Sequence, residues 1–168
     1  MGGIILAFEL TRNFSSLIQA QAVAEIEKFN ELTSWYGLVL SHNEAIELVE
    51  TRSLSLRNNG RIEFGGGVIN IILYEFCDSP YISMYNYAET INELVEIFYY
   101  YKNETLDLMS DDDLIKFMKN SFDGICQGSL ELLSGRELAH MACNLRYGYA
   151  PDYLENEECD EEDEDGQY

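Results

Sequence analysis

The sequence predicts a mainly helical protein, with residues 1–150 forming one compact bundle of at least five helices. Two patterns favour this class: apolar residues recur with a helical period along most of the chain, and residues suited to N-caps precede several of these stretches. The composition is typical of a globular domain, since 46% of the residues are hydrophobic and 24% are charged. A chain of 168 residues is long enough for one hydrophobic core.

Two helices are predicted in the first third of the chain. Residues 14–30 carry apolar side chains near one side of a 3.6-residue period, namely Leu17, Ile18, Ala22, Ile26 and Phe29. Ser41 and Glu44 have the spacing of a capping box, so a second helix is expected to begin there. We expect it to end at 58–60, because Asn and Gly tolerate the left-handed conformation that stops a helix.

Residues 61–76 allow two interpretations. Their many β-branched residues would suit a small β-hairpin near 61–71, with the three glycines at 65–67 as its turn. A helix from Val68 is also possible, because one helical stripe would hold Val68, Ile69, Ile72, Leu73 and Phe76. We favour the helix, and a hairpin would make the fold α+β.

Three more helices are predicted after residue 85. Asn86 with Glu89 marks the start of one, and Ser110 followed by three aspartates marks the next, because carboxylates in the first turn complement the helix dipole. Gly124 is expected to end that helix. The last helix should begin at Gly128-Ser129 and run to about Tyr147.

The charge is strongly negative and unevenly placed. Of 31 acidic residues, ten lie between Asp152 and Asp165, so residues 151–168 are predicted to be a disordered acidic tail. The preceding residues hold 21 acids against 10 bases, a net charge of −11. A domain this negative repels phosphate backbones and anionic lipid surfaces, so we expect no direct binding to nucleic acid or to membranes.

Compartment is predicted from what the chain lacks. The start has no basic segment before its short apolar run and no stretch reaches the ~18 apolar residues of a membrane span, so a cytoplasmic protein is expected. The four cysteines, Cys77, Cys126, Cys143 and Cys159, include no C-x-x-C pair. Reduced thiols are therefore expected, and a cysteine–zinc site is not.

Three stretches together resemble a known bacterial family. They are GRIEFGGGVINIILYEFCDSPYI (60–82), EIFYYYKNETLDLMSDDDLI (96–115) and FDGICQGSLELLSGREL (122–138). On these residues the chain is similar to a family of Gram-positive anaerobes that is described only as a domain of unknown function, over roughly residues 15–148. The resemblance implies a cytoplasmic bacterial protein and carries no activity, cofactor or catalytic residue.

A candidate anion-binding site lies in the segment from Arg52 to Gly67. Three of the ten cations fall within ten residues and precede a glycine triplet at a predicted helix start; the candidate residues are Arg52, Arg57, Arg61, Gly65, Gly66 and Gly67. Free amides at a helix N-terminus beside guanidinium groups are suited to phosphate or carboxylate. The alternative is a tight turn between helices, with the arginines paired to Glu50 and Glu63.

No catalytic or metal site is predicted. Glu137 and His140 have the E-x-x-H spacing of di-iron bundles, but a second copy is missing and both residues lie on the predicted polar face. Neither His42 nor His140 belongs to a motif with a nucleophile. We therefore predict no metal and no cofactor, and we favour a protein without enzymatic activity.

Exposed tyrosines are the candidate interface. Tyr81 and Tyr85 belong to an aromatic-rich stretch, and Tyr100 falls opposite the apolar stripe of its predicted helix. Exposed tyrosines are common interface anchors, although they could also cover a second packing surface. The most favoured function is thus a cytoplasmic protein-interaction module, adaptor or regulatory. The alternative is a binder of a small anion or nucleotide-like ligand, or an enzyme, using 52–67. The oligomeric state is not given by the sequence.

Overall fold

The structure, a computed structural model, describes residues 2–148, with side chains from residue 15 onward. This range contains helices and no strand: α1 (Gly2–Thr33), a 3-10 turn (Ser34–Tyr36), α2 (His42–Asn58), α3 (Gly67–Phe76), α4 (Tyr87–Glu104), α5 (Asp111–Asp123) and α6 (130–147). Helix α6 has a π-helical segment, Leu133–Leu138, between Leu130–Leu132 and Ala139–Tyr147. The mainly helical class is therefore confirmed, and 61–76 contain a helix and not a hairpin.

Two pairs of helices run in the same direction. Thr51 bonds to Asn92 at 2.9 Å, and Asn59 at the end of α2 bonds to Asn103 near the end of α4. Helices α3 and α5 begin at one cavity, and their ends meet where Lys119 Nζ contacts Asp78 Oδ1 at 2.6 Å. The loops 59–66 and 105–110 consequently share one end of the bundle, which we call the cavity end.

The opposite end, which we call the aromatic end, carries the loops 34–41, 77–86 and 124–129. Thr33 at the end of α1 faces the side chain of Tyr87 at the start of α4. Both hydroxyls are buried and fall short of a regular hydrogen bond. The ring of Tyr81 packs on Phe122 with the centroids 6.3 Å apart, and a Cβ at Gly128 would touch that ring. These contacts bring the three loops together.

The core is one cluster of apolar side chains from all the helices α1–α6. Its largest fully buried members include Phe76, Phe98 and Phe122. Phe76 and Phe122 meet edge to face at 5.7 Å, the geometry that aromatic quadrupoles favour. This packing holds α3 against α5 and so fixes the start of α3 at the cavity end.

Most predicted helix ends agree with the structure. Ser41 and Glu44 form the predicted capping box, and Ser110 caps α5 through the amide of Asp113. Asn86 precedes α4 as predicted, but its side chain accepts from Ser83 N at 2.8 Å and caps no helix amide. The prediction for the first helix was too short, since α1 begins at Gly2, and Leu17 is 68% exposed.

Three further predictions concern the acidic tail, membrane-spanning helices and the cysteines. The predicted tail, 151–168, lies outside the described residues, and the boundary of the 1–150 domain stays a prediction. Within the described part of the chain, no helix combines the length and hydrophobicity needed to cross a membrane. Cys77 and Cys126 are free and buried, as expected.

Candidate functional site

A cavity of about 460 Å³ opens at the cavity end, beneath the 59–66 loop. Its floor is apolar, formed by Leu56, Val68, Ile71 and Phe98. The polar side chains along its wall are Arg61, Glu63, Tyr99, Lys102 and Asp111. The cavity can therefore accept an apolar group and place a polar group of the same molecule against charged side chains.

The predicted arginines are separated in the structure. Arg52 is buried, only 2% exposed, and its Nη1 donates to the carbonyl oxygen of Gly65 at 2.6 Å. Arg61 lines the cavity, and its Nη2 bonds to both carboxylate oxygens of Asp107 at 2.8 and 2.9 Å. Arg57 is exposed on the last turn of α2 and does not line the cavity. The predicted partners Glu50 and Glu63 form no ion pair with these arginines in the described part of the chain.

The glycine triplet makes room for side chains of the protein itself. Gly65 has φ +62°, and a Cβ there would lie 2.8 Å from Glu25 Oε2, which accepts from the amide of Gly66 at 2.5 Å. Gly67 has φ +52°, and a Cβ there would overlap with the Glu63 carboxylate. The N-cap residue of α3, Gly66, has no side chain that could cap the helix. The carboxylates of Glu25 and Glu63 accept from amides at the start of α3 instead.

Glu63 has the central position among these contacts. Its Oε1 accepts from the amide of Val68 and its Oε2 accepts from the hydroxyl of Tyr99. Burial raises the pKa of Tyr99, and the hydrogen bond and charge of Glu63 raise it further, while the charge of Arg52 lowers it. The Tyr99 hydroxyl therefore stays protonated at neutral pH and is a firm donor to a carboxylate.

The cations of the cavity wall are already paired with acids. The Lys102 ammonium contacts Asp111 Oδ1 at 2.6 Å and donates to the carbonyl oxygen of Met109 at 2.8 Å. The hydrogen bond from Arg61 holds the pKa of Asp107 below its usual range. Neither cation is therefore available to neutralise a second negative charge in the cavity without giving up its own partner.

The aromatic end has the largest exposed aromatic side chains. Trp35, the single tryptophan of the chain, is 87% exposed and Tyr85 is fully exposed. Tyr36, Tyr81 and Met84 on the same two loops are partly exposed. The aromatic end therefore carries two of the predicted interface tyrosines, Tyr81 and Tyr85, on one loop, and two aromatic residues that the sequence analysis did not select, Trp35 and Tyr36, on another.

Other predicted features lie elsewhere on the surface. Tyr100 is exposed on α4, with its ring 5.0 Å from that of Tyr101, and it is not part of the aromatic end. Glu137 pairs with Arg136 at 2.8 Å, and His140 is exposed. Among the described residues, no group of three or more histidine, cysteine or carboxylate side chains is arranged to hold a metal ion.

A second cavity, of about 340 Å³, lies between α2 and α4 and is strongly acidic. It is lined by Glu47, Glu50, Thr51, Leu54, Asn92 and Glu96. Three carboxylates around one exposed leucine give this side of the bundle a negative potential. A partner that approaches it must therefore supply positive charge.

Sequence reasoning missed the residues that complete the cavity end. Glu25, Tyr99 and Lys102 come from α1 and α4, far in sequence from the glycine triplet. No local spacing connects them to the triplet. Glu63 was predicted only as a partner for arginine, because a glutamate four residues before a helix start matches no local capping pattern.

One comparison with known proteins gives a match. A family model described as "Family of unknown function (DUF6323)" matches residues 25–151. The match confirms that this sequence resembles a family for which no activity is known. No curated protein and no solved structure matches the chain.

Proposed function

We propose that this chain, which belongs to the DUF6323 family of unknown function, is a cytoplasmic interaction module that binds another protein through its aromatic end. The observation that carries the proposal is the full exposure of Tyr85 together with the 87% exposure of Trp35. Trp35 follows Thr33 by two positions and Tyr85 precedes Tyr87 by two positions. Thr33 faces Tyr87, so both exposed residues belong to the same end of the bundle. In this role the protein is an adaptor or a regulator, and it needs no catalytic residues.

The exposed aromatic area is of a useful size for an interface. Aromatic side chains bury about 150–250 Å² each, so Trp35 and Tyr85 alone offer about 300–500 Å². One partner in a standard interface contributes about 800 Å². Tryptophan and tyrosine are also the residues that most often dominate binding energy. The remaining area would come from Tyr36, Tyr81 and Met84, which lie on the same loops.

The loop that carries Tyr85 is held in place before any partner binds. The Tyr81 ring is anchored on Phe122. Asn86 accepts from the amide of Ser83 and donates to the carbonyl oxygen of Tyr81 at 3.1 Å. A preorganised surface loses little conformational entropy on association, so its contact area is used efficiently.

The partner is expected to be basic. The chain has a net charge of −21, and the acidic cavity between α2 and α4 adds negative potential at the side of the bundle. Complementary charge accelerates the encounter, and it makes the association rate fall as salt is added. The apolar contact of the two aromatic side chains would then set the dissociation rate.

Affinity capture with matched variants tests the proposal. The immobilised full chain is compared with Trp35→Ala/Tyr85→Ala and with Tyr100→Ala, which removes an exposed tyrosine outside the aromatic end. A partner should be retained by the wild type and by Tyr100→Ala and lost by the double variant. Thermal unfolding should be the same in all three proteins, because the substituted side chains are exposed.

The outcomes separate the proposal from its rivals. Loss of the partner with Tyr100→Ala and not with the double variant would assign the interface to α4 and contradict the proposal. Sedimentation of the purified chain distinguishes a second copy from a different protein. A dimer that dissociates in the double variant would make the aromatic end a self-association surface, and binding to a different protein would then have to be abandoned.

A further inference from the structure

At the cavity end, a buried cation lacks an anionic partner. The Arg52 side chain is 2% exposed, and in the described part of the chain it forms no ion pair. Its Nη1 is bonded to Gly65, whereas its buried Nε has no acceptor among the described residues. An unpaired buried charge is costly, so it favours a negative group nearby.

The guanidinium group of Arg52 lies at the start of α3. Gly65, its hydrogen-bond partner, comes immediately before Gly66, the N-cap residue of this ten-residue helix. The helix dipole adds partial positive charge at the same place. Arg52 and the helix N-terminus together therefore form a focus of positive potential in a protein with a net charge of −21.

Two carboxylates of the protein lie at this helix start: Glu25 accepts from the amide of Gly66 at 2.5 Å, and Glu63 lines the cavity. The two oxygens of Glu63 accept from the amide of Val68 and from the hydroxyl of Tyr99, one donor each. The residues on either side, Ile62 and Phe64, are 84% and 70% exposed. The Arg61–Asp107 pair and the bond from Arg52 to Gly65 anchor the loop on either side of Glu63, whereas the side chains of Ile62 and Phe64 add little apolar burial that would hold Glu63 itself in place.

We propose that the start of α3 is a binding site for a small carboxylate with an apolar body, and that Glu63 is the internal carboxylate which this ligand replaces. The ligand carboxylate accepts from Val68 and Tyr99, and the charge of Arg52 stabilises it. Its apolar body lies on the cavity floor, against Ile71 and Phe98. The cavity of about 460 Å³ sets the upper limit of its size.

The geometry favours a carboxylate over a phosphate. The position has two donors for two oxygens, which suits a planar carboxylate. A phosphate dianion would bring a second charge, but Arg61 and Lys102 are already engaged with Asp107 and Asp111. The overall negative charge of the chain also repels multiply charged anions.

Replacing the internal carboxylate tests the site by chemical rescue. Glu63→Ala should lower the melting temperature, and added acetate or hexanoate should raise it again in a saturable way. Hexanoate should bind Glu63→Ala at least about tenfold more tightly than it binds the wild type. The reason is that the affinity of the wild type is reduced by the small fraction of molecules in which Glu63 has left its position.

Glu44→Ala is the matched control. Glu44 also bonds to a backbone amide at a helix N-terminus, in the capping box of α2, but it is not among the residues lining the cavity. Equal rescue of Glu44→Ala by hexanoate would reduce the effect to general helix capping and overturn the proposal. Equal stabilisation of Glu63→Ala by hexanol would also overturn it, since hexanol has no carboxylate.

Measurements on the wild type keep the proposal testable if Glu63→Ala does not fold. Titration with hexanoate, followed by nuclear magnetic resonance, should shift the Val68 amide and the Tyr99 ring in a saturable manner, with sodium chloride at equal ionic strength as the reference. Absence of saturable shifts at these residues would overturn the proposal. The aromatic end is not involved, so this result is independent of the proposed protein interaction.

Discussion

Replacing Gly67 with alanine is the most direct test of the arrangement at the start of α3. Gly67 has φ +52°, a conformation that residues with a Cβ rarely adopt. A Cβ at this position would overlap with Glu63 Oε1, because the carboxylate lies against the Gly67 backbone. The variant therefore forces the Glu63 carboxylate away from the Val68 amide and the Tyr99 hydroxyl.

Two free-energy terms contribute to the expected loss of stability. The left-handed conformation costs alanine about 1–2 kcal/mol. Displacing Glu63 leaves the Tyr99 hydroxyl, in a side chain that is 2% exposed, without its acceptor, which costs about 1–3 kcal/mol more. Gly60→Ala is the matched control: Gly60 has φ +63° and nothing within 4 Å of its Cβ position, so only the first term applies.

Urea unfolding followed by circular dichroism measures both variants. We expect Gly67→Ala to be less stable than Gly60→Ala by about 1–3 kcal/mol, with unchanged slopes. In a Glu63→Ala background this excess should disappear, because the clashing carboxylate is then gone. Equal losses in the two glycine variants would show that Glu63 moves aside freely and that its carboxylate does not fix the start of α3.

Two further substitutions test the core and the last helix. Burial raises the pKa of Tyr87 to about 12, from an ordinary value of 10.0, so its contribution to stability is complete below pH 10 and is lost as the pH rises towards 12. Tyr87→Phe, which cannot ionise, should lose less stability than the wild type between pH 7 and pH 11 in urea unfolding; an equal loss would contradict the buried neutral phenol. Gly135 lies exposed in the π-helical segment, has no positive φ, and has open space around its Cβ position. Gly135→Ala should therefore raise the free energy of unfolding by about 0.5–1 kcal/mol, and a decrease would show that the segment requires glycine.

Local signals predicted the elements of the fold well. Capping at Ser41 and Ser110 depends on residues three positions apart, so these helix starts could be identified without tertiary information. The choice of a helix over a hairpin after Gly67 rested on one apolar stripe, which is indeed buried in the core. The other side of α3 is not uniformly polar, because it holds Ile71 and the 59% exposed Tyr74, and the local signal was ambiguous for that reason.

Long-range contacts explain what the sequence did not show. Tyr99 lies next to Tyr100 on α4, yet Tyr99 is buried and Tyr100 is 58% exposed. The helical period predicted the exposure of Tyr100, but the role of Tyr99 depends on the 59–66 loop crossing over it with Glu63. The partner of Arg61 was not predicted for the same reason: Arg61 pairs with Asp107, which lies 46 positions away in the sequence.

The glycine triplet shows that one local sequence pattern can have two opposite roles. In a phosphate-binding loop, glycines let backbone amides approach a ligand. Here Gly65 and Gly67 let Glu25 and Glu63 approach the backbone, so the protein supplies its own carboxylates to the amides of α3. An internal carboxylate and an external one require the same donors, which is why the sequence pattern for anion binding was present. A replaceable carboxylate differs from a permanent cap because a positive charge lies nearby with which the internal carboxylate forms no ion pair. In the described part of the chain Arg52 is that charge, since it is buried and forms no ion pair with Glu63.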